Sequence, residues 1–554
     1  MWKIQIFLFI IFAIKLSESN LIVKTSGGQL RGIRVRTGLF TSYLAFKGIP
    51  YAEPPIGNLR FRAPIPHHGW QGIRDASKHG NVCPTNGVIG IGLLPSGDEN
   101  CLFLNVYTTN VNANLPVLFW IYGGAFILGD GNSLIYGPDE LMKENIVVVT
   151  FNYRLSVFGF LSTGDEHAQG NYGLKDMVLA LKWVKENIKN FGGDPNKITI
   201  VGQSAGAVSV HHLMLSQMTQ GLFHQAIMMS GSALSPFSFQ TNPRQKAENL
   251  ARKIGLIFNS TEEMVEKLRK VDFREILKHD RGLLNQDDPQ GLVSFDFTVT
   301  VEPENSIDER LVTLDPEKVL LSGNFQKIPA IIGTVNKEGI LDLMRNQINP
   351  NYMTDFNDHP EYFVPNSYNI SKNDTNSINE VANAFRKIYF NDKKITKDST
   401  DEFAIFMTDA GYKFSTDRAI QFMAKNQSKI YSYEFFYDGA LNFIKTITFQ
   451  RSYNGACHAD DLFYLFNPEF PTTIALPNNH AFKVRQRMVR LWSNFVKTGN
   501  PTPNRNDNLL RIQWPTFDQN DKKYLEIGYD LSVKIDNEKL KIWHDFQRKF
   551  TNHD

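Results

Sequence analysis

Net charge, cysteine and long apolar runs are all scarce in this chain, and each shortage excludes a class of protein. Its 554 residues carry 59 basic and 57 acidic side chains, a net charge of +2. With no long basic run either, nothing favours a nucleic acid or other polyanion as partner. Past the first residues no stretch approaches the ~20 apolar residues that a helix needs to span a bilayer, so no stable membrane anchor is expected. Cysteine occurs three times, at Cys83, Cys101 and Cys457. No internal repeat or low-complexity tract is present, which excludes repeat arrays and linker chains. Between Cys83 and Cys101 the chain reads PTNGVIGIGLLPSGDEN, without one aromatic ring. The carboxyl end, FQRKFTNHD, has neither a hydrophobic tail for a lipid anchor nor a retention tetrapeptide.

What is present begins at the amino end. Lys3 precedes the apolar stretch Ile4 to Ile14, and Ser17 and Ser19 supply small residues before a cut ahead of Asn20. Residues 1–19 therefore read as a secretory leader, and secretion is expected. Sequons at Asn259, Asn369, Asn373 and Asn426 agree with that route as candidate glycosylation sites. In an oxidising compartment the neighbours Cys83 and Cys101 should pair, leaving Cys457 as a small buried thiol. The length exceeds a usual domain, but a wide sheet can hold one chain together, and residues 20–554 are read as a single domain.

Short apolar runs recur along that domain: Val117–Tyr122, Ile146–Phe151, Ile198–Val201, Ala226–Met229 and Ala330–Ile332. They are apolar on both faces, as strands inside a parallel sheet must be. Between them, residues 174–190 place Met177, Leu181, Val184 and Ile188 on one helical face, and residues 205–216 read as a buried helix. The alternation predicts an α/β fold, a mostly parallel central sheet with helices on both faces. Residues 240–325 and 350–425, more helical and polar, read as insertions.

The chemistry starts at Gly202-Gln203-Ser204-Ala205-Gly206, directly after the strand ITIV and at the start of a helix. That is the nucleophile-elbow pattern, whose glycines leave room for a strained strand-to-helix turn. Upstream, Tyr122-Gly123-Gly124-Ala125-Phe126 follows another strand. The amides of Gly124, Ala125 and Ala205 are the expected donors to a developing oxyanion. A base must follow the serine. His359 and His480 lie in polar stretches and His544 and His553 near the tail, whereas His458 sits in Asn454-Gly455-Ala456-Cys457-His458-Ala459-Asp460-Asp461. The acid should end a strand between them, and Glu338 follows Ala330-Ile331-Ile332-Gly333-Thr334; Asp342 is its nearest competitor.

With these residues in place, the chain resembles the type-B carboxylesterase/lipase family, which includes cholinesterases and juvenile hormone esterases. The likeness runs from about Leu21 to Trp543. It includes Phe46-Lys47-Gly48-Ile49-Pro50-Tyr51-Ala52, Arg60-Phe61, Glu99-Asn100-Cys101, Asn152-Tyr153-Arg154, Gly192-Gly193-Asp194-Pro195 and Ser230-Gly231-Ser232. The resemblance implies the α/β-hydrolase fold, a triad of Ser204, Glu338 and His458, and a disulfide between Cys83 and Cys101. It further implies a buried Arg60–Glu99 ion pair, with Ser230 and Asp461 supporting the triad from behind. Three departures stand out: Asn100 replaces an acidic residue, Ala125 replaces the third glycine of the oxyanion segment, and a later disulfide is absent.

Cholinesterases carry a tryptophan in the loop that has no ring here, so small to medium apolar esters are the expected substrates. Gln203 and the residues around His458 resemble juvenile hormone esterases, although Asp176-Met177 stands where those enzymes tend to have Asp-Gln. Non-catalytic readings are an adhesion relative, which would lose triad residues and add a membrane span, and a carrier using the same pocket. The expected reaction passes through an acyl-enzyme and needs no cofactor or metal. A monomer or weak homodimer is expected.

Overall fold

A computed structural model describes residues 21–37, 41–86, 95–240, 242–283, 295–469, 480–535 and 540–551. The leader at 1–19 and His553 fall outside them. A small sheet is made of β1 (Ile22–Thr25), β2 (Gly28–Arg31) and β5 (Ile73–Asp75). The large one holds eleven strands. In chain order these are β3 (Ile33–Arg36), β4 (Ser42–Pro50), β6 (Phe103–Thr108), β7 (Leu115–Ile121), β8 (Val147–Phe151) and β9 (Gly193–Gln203). They continue with β10 (Gln225–Met229), β11 (Ala330–Val335), β12 (Ile430–Phe435), β13 (Lys523–Ile527) and β14 (Leu531–Ile535).

Across the sheet the order is β14-β13-β12-β11-β10-β9-β7-β8-β6-β4-β3. From β8 to β13 every pairing is parallel. β6, β4 and β3 on one edge and β14 on the other pair antiparallel. This is the α/β-hydrolase arrangement. The central strands are buried at every position in β8 (VVVTF) and β11 (AIIGTV), which is why they read as unbroken apolar runs. Helices flank them: Ala205–Leu215 packs on β9 and β10, and His480–Thr498 on β7 and β9.

Boundaries differ from the sequence reading where polar residues extend an element. β9 begins at Gly193, five residues before the apolar ITIV, because Gly193 already pairs with Leu115 before the register shifts. The helix expected over 174–190 runs Tyr172–Asn187 and then tightens into a 3₁₀ turn, Ile188–Phe191. Both predicted insertions are helical, with Pro243–Lys253 and Thr261–Lys270 in the first and Thr375–Phe390 to Phe414–Ala424 in the second.

Cys83 and Cys101 are bonded, S–S 2.01 Å, and Cys457 is a buried free thiol. Arg60 meets Glu99 through two bonds, Nε–Oε1 at 2.7 Å and Nη2–Oε2 at 2.5 Å, and its Nη1 donates to the carbonyls of Leu268 and Val271. A second bidentate pair, Arg154 with Asp176, is wholly buried (2.8 and 2.6 Å) and had no signature in the sequence.

Candidate active site

In a parallel sheet all carboxyl ends point one way, and there the loops gather the polar residues. β7, β9, β10 and β11 run directly into the segments carrying Gly124, Ser204, Ser230 and Glu338, and the chain after β12 returns with His458. Sheet topology alone thus brings residues more than 250 positions apart to one edge, as the buried contact between Gln203 and His458 (separation 255) records.

Ser204 occupies the turn between β9 and the helix Ala205–Leu215, with φ 57° and ψ −125°. A non-glycine residue there costs on the order of 1–3 kcal/mol, so its neighbours must hold it. The Ser204 amide donates to Met229 O at 2.8 Å, and its carbonyl accepts from Val208 N at 2.9 Å. A Cβ on Gly202 would lie 2.4 Å from the backbone of Gly206, and one on Gly206 would lie 2.1 Å from Ile121 O. Only hydrogen fits at either place, which is why both positions of the pattern are glycine.

After β7 the backbone turns through three consecutive positive φ values, Gly124 at 116°, Ala125 at 58° and Phe126 at 61°. Among the described residues the amides of Gly124, Ala125 and Ala205 donate to no acceptor. Gly123 packs so tightly that a Cβ there would sit 2.9 Å from Ser204 Cβ.

Glu338 opens the 3₁₀ helix Glu338–Met344 beyond β11 and is fully buried. Its Oε1 accepts the Val335 amide at 2.8 Å, and its Oε2 lies 2.6 Å from His458 Nδ1. A carboxylate on Nδ1 fixes the imidazole tautomer, with the proton on that nitrogen and the Nε2 lone pair free to accept. The turn carrying His458 is pinned to the turn carrying Glu338, because Ala456 N donates to Asn336 Oδ1 (2.8 Å) and Lys337 N to Ala456 O (3.1 Å).

The buried ammonium of Lys445 ties the same turn from the other side, to Asp438 (2.7 Å) and to the carbonyls of Tyr453 and Gly455 (2.8 Å each). Sequence reasoning passed over Lys445, which carries no motif. It also missed Tyr412. A π-helical segment, Asp409–Lys413, brings that ring to 4.8 Å from the His458 imidazole, and Phe237 lies 5.6 Å beyond.

Other sequence candidates fall as follows. Asp342 faces Arg345 (3.5 Å) rather than His458 Nδ1, and burial pushes its carboxyl up to about 6. Ser230 Oγ is buried and has no partner among the described residues. Asp461 accepts from Tyr433 OH at 3.3 Å, and burial, reinforced by the Glu338 charge, pushes it up to about 7. Burial also raises the Cys457 thiol well above its usual range, leaving it a poor nucleophile. His359 pairs with Glu361, His480 rests against Tyr529, and His544 bonds Asp417.

One link of the expected triad is open. Among the described residues the Ser204 hydroxyl makes no hydrogen bond, and His458 Nε2 faces the Gln203 amide nitrogen at 3.2 Å. A cavity of about 320 Å³ lined by Leu343, Met353, Phe449 and Tyr453 includes none of Ser204, Glu338 or His458. Two clusters with metal-ligand atoms, Glu53-His67-His68 and Asp165-Glu166-His167, likewise contain no residue of the site.

The carboxylesterase family model matches residues 19–543. The chain belongs to the carboxylesterase family. Its relatives carry the activity in their names. A carboxylic ester hydrolase of Bombus ignitus is 33% identical over 94% of this chain and 93% of that protein. Esterase FE4 of Myzus persicae is 35% identical over 90% and 88%. The crystal structure of juvenile hormone esterase from Manduca sexta, with OTFP covalently attached, superposes with a TM-score of 0.85 at 29% identity, covering 96% of this chain and all of that one. This carboxylesterase is accordingly a hydrolase of carboxylic esters, and small-molecule esters are its substrates.

Proposed function

We propose that this carboxylesterase acts on small to medium apolar esters through a covalent acyl-enzyme, with Ser204 as nucleophile, His458 as general base and Glu338 holding the imidazole. His458 Nε2 takes the Ser204 proton as Oγ attacks the ester carbonyl. The amides of Gly124, Ala125 and Ala205 receive the oxyanion, each contributing about 3–4 kcal/mol in the manner of such donors. The alcohol leaves with the proton from His458. Water then repeats the sequence and releases the acid. The observation that carries this reading is the 2.6 Å contact between Glu338 Oε2 and His458 Nδ1 beside a serine held at φ 57°.

Covalent labelling with an organophosphate, followed by peptide mapping, tests it. Label is expected on the peptide containing Ser204, and Ser204→Ala should lose p-nitrophenyl ester hydrolysis by a factor on the order of 10³ or more. Label on another peptide with Ser204 untouched would refute the assignment. A narrower reading, juvenile hormone as substrate, is favoured by Gln203 and by the juvenile hormone esterase of Tribolium castaneum, 33% identical over 89% of this chain. The ratio of kcat/KM for juvenile hormone to that for p-nitrophenyl butyrate separates the two.

The reading extends to release from the cell. It is supported by the leader pattern of residues 1–19, the internal disulfide and the exposed positions of Asn259, Asn369, Asn373 and Asn426. No described helix is long and apolar enough to cross a membrane.

A further inference from the structure

We propose that Gln203 is a positioning residue for His458: in the free enzyme its amide N–H holds the Nε2 lone pair, and substrate entry must release that bond before Ser204 can be deprotonated. The proposal rests on the triad reading above and adds a resting state to it.

The geometry points to this in several ways. Glu338 claims the Nδ1 proton, so in the neutral imidazole Nε2 has only an acceptor to offer, and the atom 3.2 Å away is a donor. The competing donor, the Ser204 hydroxyl, makes no bond among the described residues, so the two are not sharing the lone pair. Both partners are nearly closed to solvent, Gln203 at 3% and His458 at 5% exposed, so bulk water offers little substitute for either group. The missing side chain at Gly123 leaves the space that the Gln203 amide uses, since a Cβ there would lie 2.8 Å from Gln203 Oε1. The Tyr412 ring packs on the other side of the site, its centroid 4.8 Å from that of the imidazole and tilted 41° against it.

An amide suits this task in a way that a carboxylate does not. Its N–H suits the neutral base and must let go once the base has taken a proton, because an imidazolium has no lone pair to offer it. A carboxylate at position 203 offers Nε2 no donor and favours the imidazolium instead. Among the described residues, the charged or titratable groups that act on His458 are Glu338 and Asp342 on the 3₁₀ helix and Asp461 on its own turn, with the Tyr412 phenol of the π-helical segment packed against the ring and Cys457 next to it in the chain. All of them are unchanged when position 203 alone is varied.

The test is the pH dependence, from 5 to 9, of kcat/KM and kcat for a p-nitrophenyl ester in wild type, Gln203→Met and Gln203→Glu. A bond to the neutral form lowers a histidine's pKa, so removing it raises the acid limb of kcat/KM. For Gln203→Met the expected rise is roughly half to one pH unit, the size of one hydrogen bond. For Gln203→Glu it is larger, because the carboxylate favours the cation. The kcat profile, which reports the substrate-bound form where the bond is already released, should move less for Gln203→Met. Midpoints of kcat/KM that coincide in all three proteins would overturn the proposal. So would equal shifts in kcat and kcat/KM for Gln203→Met. If that variant does not fold, Gln203→Glu, nearly the same size, carries the test alone on its kcat/KM midpoint. Organophosphate labelling of the same samples separates the failures. Label at Ser204 with unmoved midpoints removes only the role of Gln203, whereas label elsewhere removes the triad.

Discussion

At Glu338 each oxygen has its own donor: Oε1 takes the Val335 amide and Oε2 the His458 Nδ1–H. Glu338→Gln keeps the volume but replaces one acceptor by an NH₂ group. If the amide nitrogen faces His458, Nδ1 must accept and the proton moves to Nε2, leaving no lone pair for Ser204; if it faces Val335, two donors meet. The expected result is a loss of kcat/KM of about 10⁴, as found when such an acid becomes an amide, with the circular dichroism spectrum unchanged. A loss below tenfold would remove Glu338 from the reaction. Residues of this kind were legible because the chemistry restricts them to few types in a fixed chain order. Ser204 announced itself by flanking glycines, and Glu338 ranked above Asp342 by standing nearer the strand end. The Gln203 bond and the Tyr412 contact were not legible. The first depends on a side-chain rotamer, and the second on a π-helical turn in a segment without motif residues.

The helix Ala205–Leu215 is buried along its whole length, which hid it from periodicity but not from its position after the elbow. That burial has a consequence in acid. His211 and His212 are fully enclosed, and desolvation pushes both down to about 3. Unfolded, each would take a proton near 6.5. Between those values the unfolded chain binds more protons, so stability is intact above about pH 6.5 and falls as pH drops toward 3. Each histidine should cost about 2 kcal/mol at pH 5 by this linkage. Nε2 of His212 has no partner among the described residues, so His212→Leu sacrifices no hydrogen bond there. The variant should show a smaller fall in thermal inactivation temperature between pH 7.5 and pH 5 than wild type. An equal fall would mean that this helix does not sense the acid. Among the strands, those buried on both faces stood out as apolar runs. β13 (KYLEI) and β14 (LSVKI), antiparallel and half-exposed, did not, because strands that face solvent on one side lose that signature.

Across the molecule, the disulfide and the Arg60–Glu99 pair fasten the same amino-terminal stretch in different ways. The disulfide closes a short loop and acts mainly on the unfolded chain, for about 3 kcal/mol. Opened by substitution, it leaves two small side chains where two buried sulfurs were. Arg60 instead reaches out of its own segment to the carbonyls of Leu268 and Val271, so the pair ties the first insertion to the sheet's edge. Both partners are nearly buried, with side-chain exposures of 7% and 10%. Glu99→Ala would therefore strand a guanidinium with only carbonyls to face, a change that costs about 3–5 kcal/mol when one partner of a buried pair is removed. The double variant Cys83→Ser, Cys101→Ser should accordingly retain activity to a higher temperature than Glu99→Ala, with wild type above both. Activity remaining after a fixed interval at stepped temperatures ranks the three, each kept under non-reducing conditions. If the serine pair inactivates first, loop closure rather than the ion pair is what holds the insertion against the sheet, and the charge on Arg60 must find compensation elsewhere.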